Sequence, residues 1–357
     1  MNRYGETRSG LSMLLALVVM LGTQVLLIFP LVGRVLTRIN LTAPGGFDGY
    51  IDAMMEFAMN PWLLTGSNLL VIISIPLLFY LLYKRPLRQM GLYRKGFFRQ
   101  LLLGLLFGAA AIGAVFGVMM LIDNVRVVAV DYTVFKNPVF WASLTMFIAV
   151  GFGEEVIFRG YMMTAAKTMR NKALILFVPA IVFALMHIAN PGINFLSLFN
   201  IFCAGLIMAL LFVKTGRIWA SVGFHITWNF MQGCIFGMNV SGMPVASLLK
   251  VEFAGLDYLS GGAFGAEGSL IATGIVILCV LFAAFVVRKS KDRPWTYFSD
   301  LPFAKIRPYQ PPVYYYPPQA PPPYPLYYTH PEANPTQPQA PQPSFPEPNI
   351  SPPEEKQ

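Results

Sequence analysis

Apolar runs recur along the chain at residues 11–33, 62–83, 97–122, 138–158, 173–188, 195–213, 218–238 and 269–287, separated by polar or basic segments. A bilayer-spanning helix needs ~20 apolar residues, and most of these runs are near that length. The pattern predicts an all-α fold: a polytopic membrane bundle of about eight transmembrane helices. The shortest run, 173–188, stands as a helix of its own because Asn190-Pro191-Gly192 after it is a turn signal, with a re-entrant segment as the alternative. After Arg293 the pattern stops. Residues 303–357 hold 18 of the 29 prolines and 7 tyrosines with almost no aliphatic side chains, so this proline-rich C-terminal tail is expected to be disordered and partly polyproline II.

These shifts divide the chain into four parts. Residues 1–137 carry about three spans, 138–238 hold a core with unusual polar residues, 239–302 comprise an outer loop and the last span with a basic end, and 303–357 form the tail. The run at 11–33 follows Arg3 and Arg8, as a signal peptide would. It is 23 residues long with no small-x-small site after it, and reads as an uncleaved span.

Composition agrees with a membrane protein. Charged residues are 12% of the chain where a soluble globular protein has about 25%. The three cysteines, Cys203, Cys234 and Cys279, all lie in apolar runs, which excludes a disulfide scaffold and a Cys-based zinc module. The net charge of +9 is a matter of location. With the N-terminus in the cytoplasm, the inner segments carry 20 basic residues and the outer ones only Arg34, Arg38, Arg126, Lys136 and Lys250. This contrast satisfies the positive-inside rule and puts both termini in the cytoplasm, at the plasma membrane if the chain is bacterial. The basic excess then reports topology and attraction to anionic lipid of the bilayer, and no nucleic-acid partner is implied. In the tail, Pro311-Pro-Val-Tyr314 and Pro322-Pro-Tyr324 suit the aromatic-lined groove of a cytoplasmic partner, against the simpler reading of a solvated tether.

The informative residues are the charges that apolar helices should exclude. Gly151-Phe-Gly-Glu154-Glu155-Val-Ile-Phe-Arg159-Gly160 places two carboxylates within a span, at roughly 2.5 to 3.5 kcal/mol each on insertion scales. Glu155 and Arg159 are at i and i+4 and suit an ion pair; Glu154 points about 100° away. Two of the three histidines also lie in spans, His187 in Phe183-x-x-x-His187 and His225 in His225-x-x-x-Asn229. Counted from the nearest cytoplasmic basic residue at ~1.5 Å per residue, Glu154, His187, His225 and Asn229 lie ~20, ~22, ~12 and ~18 Å deep, close enough to share one layer.

A carboxylate in such a cavity suits a general base for water, with His187 sharing that water. His225 and Asn229 can stabilise the oxyanion that forms when water attacks a carbonyl. That chemistry hydrolyses a peptide bond and requires no cofactor. Glu154, His187 and His225 also make a two-His, one-carboxylate set for Zn²⁺, a second reading. The order Glu-Glu-x-x-x-Arg, Phe-x-x-x-His, His-x-x-x-Asn resembles the CPBP or Abi family of intramembrane proteases, which includes the type II CAAX prenyl endopeptidases, over about residues 138–238. The resemblance implies an eight-helix-type core with a conical cavity opening to the cytoplasmic side. It implies catalytic roles for Glu154, His187, His225 and Asn229 with Glu155 and Arg159 in support, and a membrane protein or lipidated peptide as substrate. Family members often carry a metallopeptidase label. A non-enzymatic membrane module that binds a peptide, of the bacteriocin self-immunity type, is the alternative. A proton-coupled transporter is a third reading, which would need polar residues on more helices than these three motifs occupy.

Overall fold

The computed structural model describes residues 9–36, 60–169 and 171–288. The proline-rich tail, Arg3, Arg8, and the basic segment after Arg288 lie outside the described residues.

Each apolar run is a helix: α1 Ser9–Leu36, α2 Pro61–Tyr83, α3 Phe97–Leu121, α4 Pro138–Glu155, α5 Lys172–Leu185, α6 Phe195–Thr215, α7 Trp219–Phe230 and α8 Leu270–Leu281. Three of them pass into wider π-helical turns, Val156–Met162 after α4, Met231–Ile235 after α7 and Phe282–Val286 after α8. Among the described residues five helices are long and apolar enough to cross a membrane, those beginning at Ser9, Pro61, Phe97, Pro138 and Phe195. The apolar helices Lys172–Leu185 and Leu270–Val286 are shorter. Ile73, Leu77, Leu103, Leu106 and Leu278 stay exposed on the outside of the bundle, as lipid-facing side chains do in an integral membrane protein.

Asparagine starts half of these helices. Asn60, Asn137, Asn171 and Asn194 each accept from the first free backbone N–H groups of α2, α4, α5 and α6, satisfying donors that lipid cannot. Pro61 and Pro138 occupy first-turn positions where no N–H is needed.

The bundle is held by close packing around α7, which lies on α3, α4 and α6, while α6 in turn contacts α5 and α8. Glycine permits the tightest of these approaches. A Cβ on Gly223 would stand 2.4 Å from the Leu101 carbonyl oxygen on α3, and one on Gly151 would stand 3.1 Å from the Ile226 backbone nitrogen. The second approach brings α4 against α7 within one turn of Glu154.

One feature departs from the all-α expectation. β1 Val125–Val130 pairs antiparallel with β2 Leu249–Phe253, with an irregularity between Val127 and Ala129. β1 follows α3 directly and is almost wholly exposed, so the apolar run 97–122 and its valine-rich continuation carry no period-2 contrast to mark the strand. Lys250 reaches Asp131 at 3.5 Å across the end of this ribbon.

The pairing fixes one end of the bundle, since it ties the segment after α3 to the segment after α7. At the opposite end, Trp219 Nε1 donates to the Tyr93 carbonyl and Lys214 Nζ to the Ala284 carbonyl. That second end carries Lys84, Arg85, Arg88, Arg94, Lys95, Arg99, Lys167, Lys172, Lys214, Arg217 and Arg288, with no Asp or Glu among the described residues. The sheet end holds Arg126, Lys136 and Lys250 together with Asp123, Asp131, Glu252, Asp257 and Glu267.

Candidate active site

The polar residues of the three motifs converge. Glu154, His187, His225 and Asn229 all line one cavity of 560 Å³ bounded by α1, α2 and α4 through α8. Glu155 and Arg159 lie in the protein beside it, both fully buried.

Glu155 and Arg159 make the expected i,i+4 pair, with Arg159 Nη1 donating to Glu155 Oε1 at 2.7 Å. Arg159 also donates from Nη2 to the Gly205 carbonyl on α6 at 3.0 Å. Its guanidinium lies over the Phe183 ring, 4.8 Å from the centroid. A buried guanidinium is tolerated only when its donors and charge are matched in this way. The pair is also more than a local clamp. Glu155 Oε1 lies 3.3 Å from His225 Nδ1, so one carboxylate oxygen serves both the arginine and the histidine. His225 Nε2 is thereby turned toward Glu154, 3.8 Å from its Oε2. That Glu154 oxygen is buried with no hydrogen-bond partner among the described residues.

His187, in the turn after α5, has its tautomer set by that helix. Its Nδ1 lies 2.8 Å from the Phe183 carbonyl, which can only accept, so Nδ1 carries the proton and Nε2 presents a lone pair. Phe183 contacts both histidines, with ring centroids 4.9 Å from His187 and 6.0 Å from His225. The phenylalanine of Phe-x-x-x-His thus packs three site residues, Arg159, His187 and His225, into fixed orientations.

The Zn²⁺ reading asks for Glu154, His187 and His225 as a converging ligand set. Among the described residues no three His, Cys, Asp or Glu side chains stand where they could hold one metal ion. His225 Nδ1 is directed to Glu155 and His187 Nδ1 to a backbone carbonyl, which leaves Nε2 of each ring available; it is the spacing of the three side chains, and not this orientation, that does not match a shared metal.

The cavity has further polar lining that the motifs do not contain. Asn68 from α2 and Asn200 from α6 face it, as do Asn190, Ser241 and Glu267 from the loops at the sheet end. Polar groups therefore come from more helices than the three that carry the motifs. Asn200 had a visible signal, being a polar residue within the apolar run 195–213, the same exception that singles out Glu154. Ser241 and Glu267 had none, because polar residues in loops have no contrast with their surroundings. Among the described residues, the loops of the basic end contribute nothing to the lining.

Residues 136–231 match the family model of Rce1-like type II CAAX prenyl endopeptidases. The match covers all three motifs and bears out the family resemblance over that stretch. No curated protein and no solved structure matches the chain.

Proposed function

We propose that this chain is an intramembrane endopeptidase that hydrolyses a peptide bond of a membrane-associated or lipidated substrate with a glutamate-activated water. The match to Rce1-like endopeptidases supports that class of activity at the family level. The observation that carries the mechanism is the convergence of Glu154, His187, His225 and Asn229 on one cavity, with the unpartnered Glu154 oxygen facing His225 Nε2.

Water held between Glu154 and His187 Nε2 gives its proton to Glu154 as its oxygen attacks the substrate carbonyl carbon. The carbonyl π electrons move to oxygen, and the resulting oxyanion is met by the Asn229 amide. His225 Nδ1–H is engaged by Glu155, which leaves Nε2 as a lone pair facing Glu154. A proton passed from Glu154 to that nitrogen makes His225 the second oxyanion donor. Collapse of the tetrahedral intermediate breaks the C–N bond, and the same proton goes to the departing amine. The apolar walls, including Met146, Phe147 and Val276, exclude bulk water and strengthen each of these interactions.

The remaining apolar helices complete an eight-span bundle on this reading, with α5, α7 and α8 extended across the bilayer by their flanking turns. Both termini then lie on the cytoplasmic, basic side. The test is Glu154→Gln in a reconstituted preparation presented with a library of membrane-anchored fluorogenic peptides. Cleavage falls by at least ~10²-fold, the scale of a lost general base; retained cleavage overturns the assignment.

A further inference from the structure

We infer that the cavity is loaded from the extracytoplasmic face, and that its outer subsite, built by Asn200 and Glu267, takes a cationic donor of the substrate such as a Lys or Arg side chain or a free amino terminus. The inference rests on the peptidase reading for what the substrate is, and on independent observations for which side it arrives from.

The first observation is where the cavity lies along the helices. Its lining takes the start of α2, α6 and α8 and the end of α5. Between them it reaches the loop residues Asn190, Ser241 and Glu267, all at the sheet end. The other end carries eleven basic and no acidic residues among those described, Lys84 to Arg288 as named above. The positive-inside rule makes that end cytoplasmic. The cavity therefore faces away from the cytoplasm, contrary to the cytoplasmic opening that the family resemblance implied.

The second observation is an acceptor with no donor. Asn200 is 2% exposed, and its Nδ2 donates to the Glu267 and Ser269 carbonyls at 2.9 and 3.0 Å. Carbonyls only accept, so the amide orientation is fixed, and Oδ1 of this cavity-lining side chain is left buried without a hydrogen-bond partner among the described residues. Such a group costs free energy unless a ligand supplies the donor.

The third is charge. Glu267 lines the cavity beside Asn200, held there by the Ser241 N–H and hydroxyl, both at 2.8 Å from Oε2. Ser241 holds this position with φ 50°, a left-handed conformation unusual for a residue with a side chain. It is kept by the adjacent turn, since Asn190 Nδ2 donates to the Ser241 carbonyl at 3.1 Å. No Lys or Arg lines the cavity among the described residues. A subsite of one carboxylate and one orphan acceptor complements a cation with N–H donors, and it disfavours a substrate that must insert a free C-terminal carboxylate.

Two measurements test this on the full-length protein. The native cysteines are buried, so a membrane-impermeant maleimide reports introduced ones. Ser241→Cys, and Ala263→Cys on the exposed loop of the same end, label in sealed spheroplasts and are protected in inverted vesicles, and Arg88→Cys gives the reverse. Labelling of both loop variants only in inverted vesicles overturns the sidedness. For the subsite, the Glu154→Gln protein in nanodiscs is titrated with two fluorescent peptides sharing one apolar anchor, one with Lys and one with Glu at the same polar position. The Lys probe binds about tenfold tighter, a gap that Glu267→Lys reverses and Asn200→Leu narrows. Equal affinities, or a preference untouched by both substitutions, overturn the subsite. Neither readout uses catalysis, so a chain in which Glu154→Gln leaves cleavage intact fails the peptidase reading alone.

Discussion

His225 Nδ1 lies 3.3 Å from Glu155 Oε1, the oxygen that also accepts from Arg159 at 2.7 Å. A carboxylate assigned to structural support by its i,i+4 spacing thus orients a residue of the cavity directly.

This double duty separates stability from activity. Glu155→Gln leaves Arg159 buried without a counter-charge, a defect on the order of 3 to 5 kcal/mol. Adding Arg159→Met removes the orphaned charge and restores much of the thermal stability in detergent. Cleavage stays depressed and its pH profile stays shifted in the double variant, because His225 has still lost the anion at Nδ1. Recovery of both properties together would make Glu155 structural only.

The α3–α7 contact should be intolerant at particular glycines. A methyl on Gly223 meets backbone atoms of Leu101 and Leu105 at 2.4 and 2.8 Å, whereas one on Gly113 meets nothing within 4 Å. Gly223→Ala is expected to lower the stability of the detergent-solubilised protein by roughly 1 to 3 kcal/mol. Gly113→Ala, at an open position of the partner helix α3, leaves the melting temperature unchanged.

The ligand geometry bears on metal dependence. With Glu154, His187 and His225 not converging as a metal site, prolonged treatment with a strong chelator changes cleavage by less than about twofold. Metal analysis of the purified protein, run in parallel, finds no stoichiometric zinc. Loss of activity on chelation with recovery on adding Zn²⁺ would restore the two-His, one-carboxylate reading.

Lys167, one residue past the 138–166 span, is a pH probe of the basic rim. Burial, and secondarily the charge of Arg85, push its ammonium down to about 7 from its ordinary 10.5. The unfolded chain therefore binds the extra proton between about pH 7 and 10.5, and stability attributable to this residue rises with pH through that window. Lys167→Met should be relatively more stable than the unsubstituted protein near pH 6, with the difference shrinking toward pH 10 in thermal melts.

The sequence by itself determined the helices, because lipid forces ~20-residue apolar runs and leaves charge only at their ends. It also isolated Glu154, Glu155, Arg159, His187, His225 and Asn229, since a polar group in such a run stands out against its context, and it fixed the Glu155–Arg159 pair, which one helix's geometry contains. Tertiary structure alone decided what lies across helices. The sharing of Glu155 between Arg159 and His225 depends on how closely Gly151 lets α4 approach α7, a distance that no spacing along the chain encodes. The β1–β2 ribbon and the Ser241–Glu267 contact join segments more than a hundred and about twenty-five residues apart. Exposed valines and loop polar residues carry no periodicity to announce them. The end of the bundle toward which the cavity extends follows from which loops the packing folds over it, and the basic asymmetry along the sequence does not contain that information.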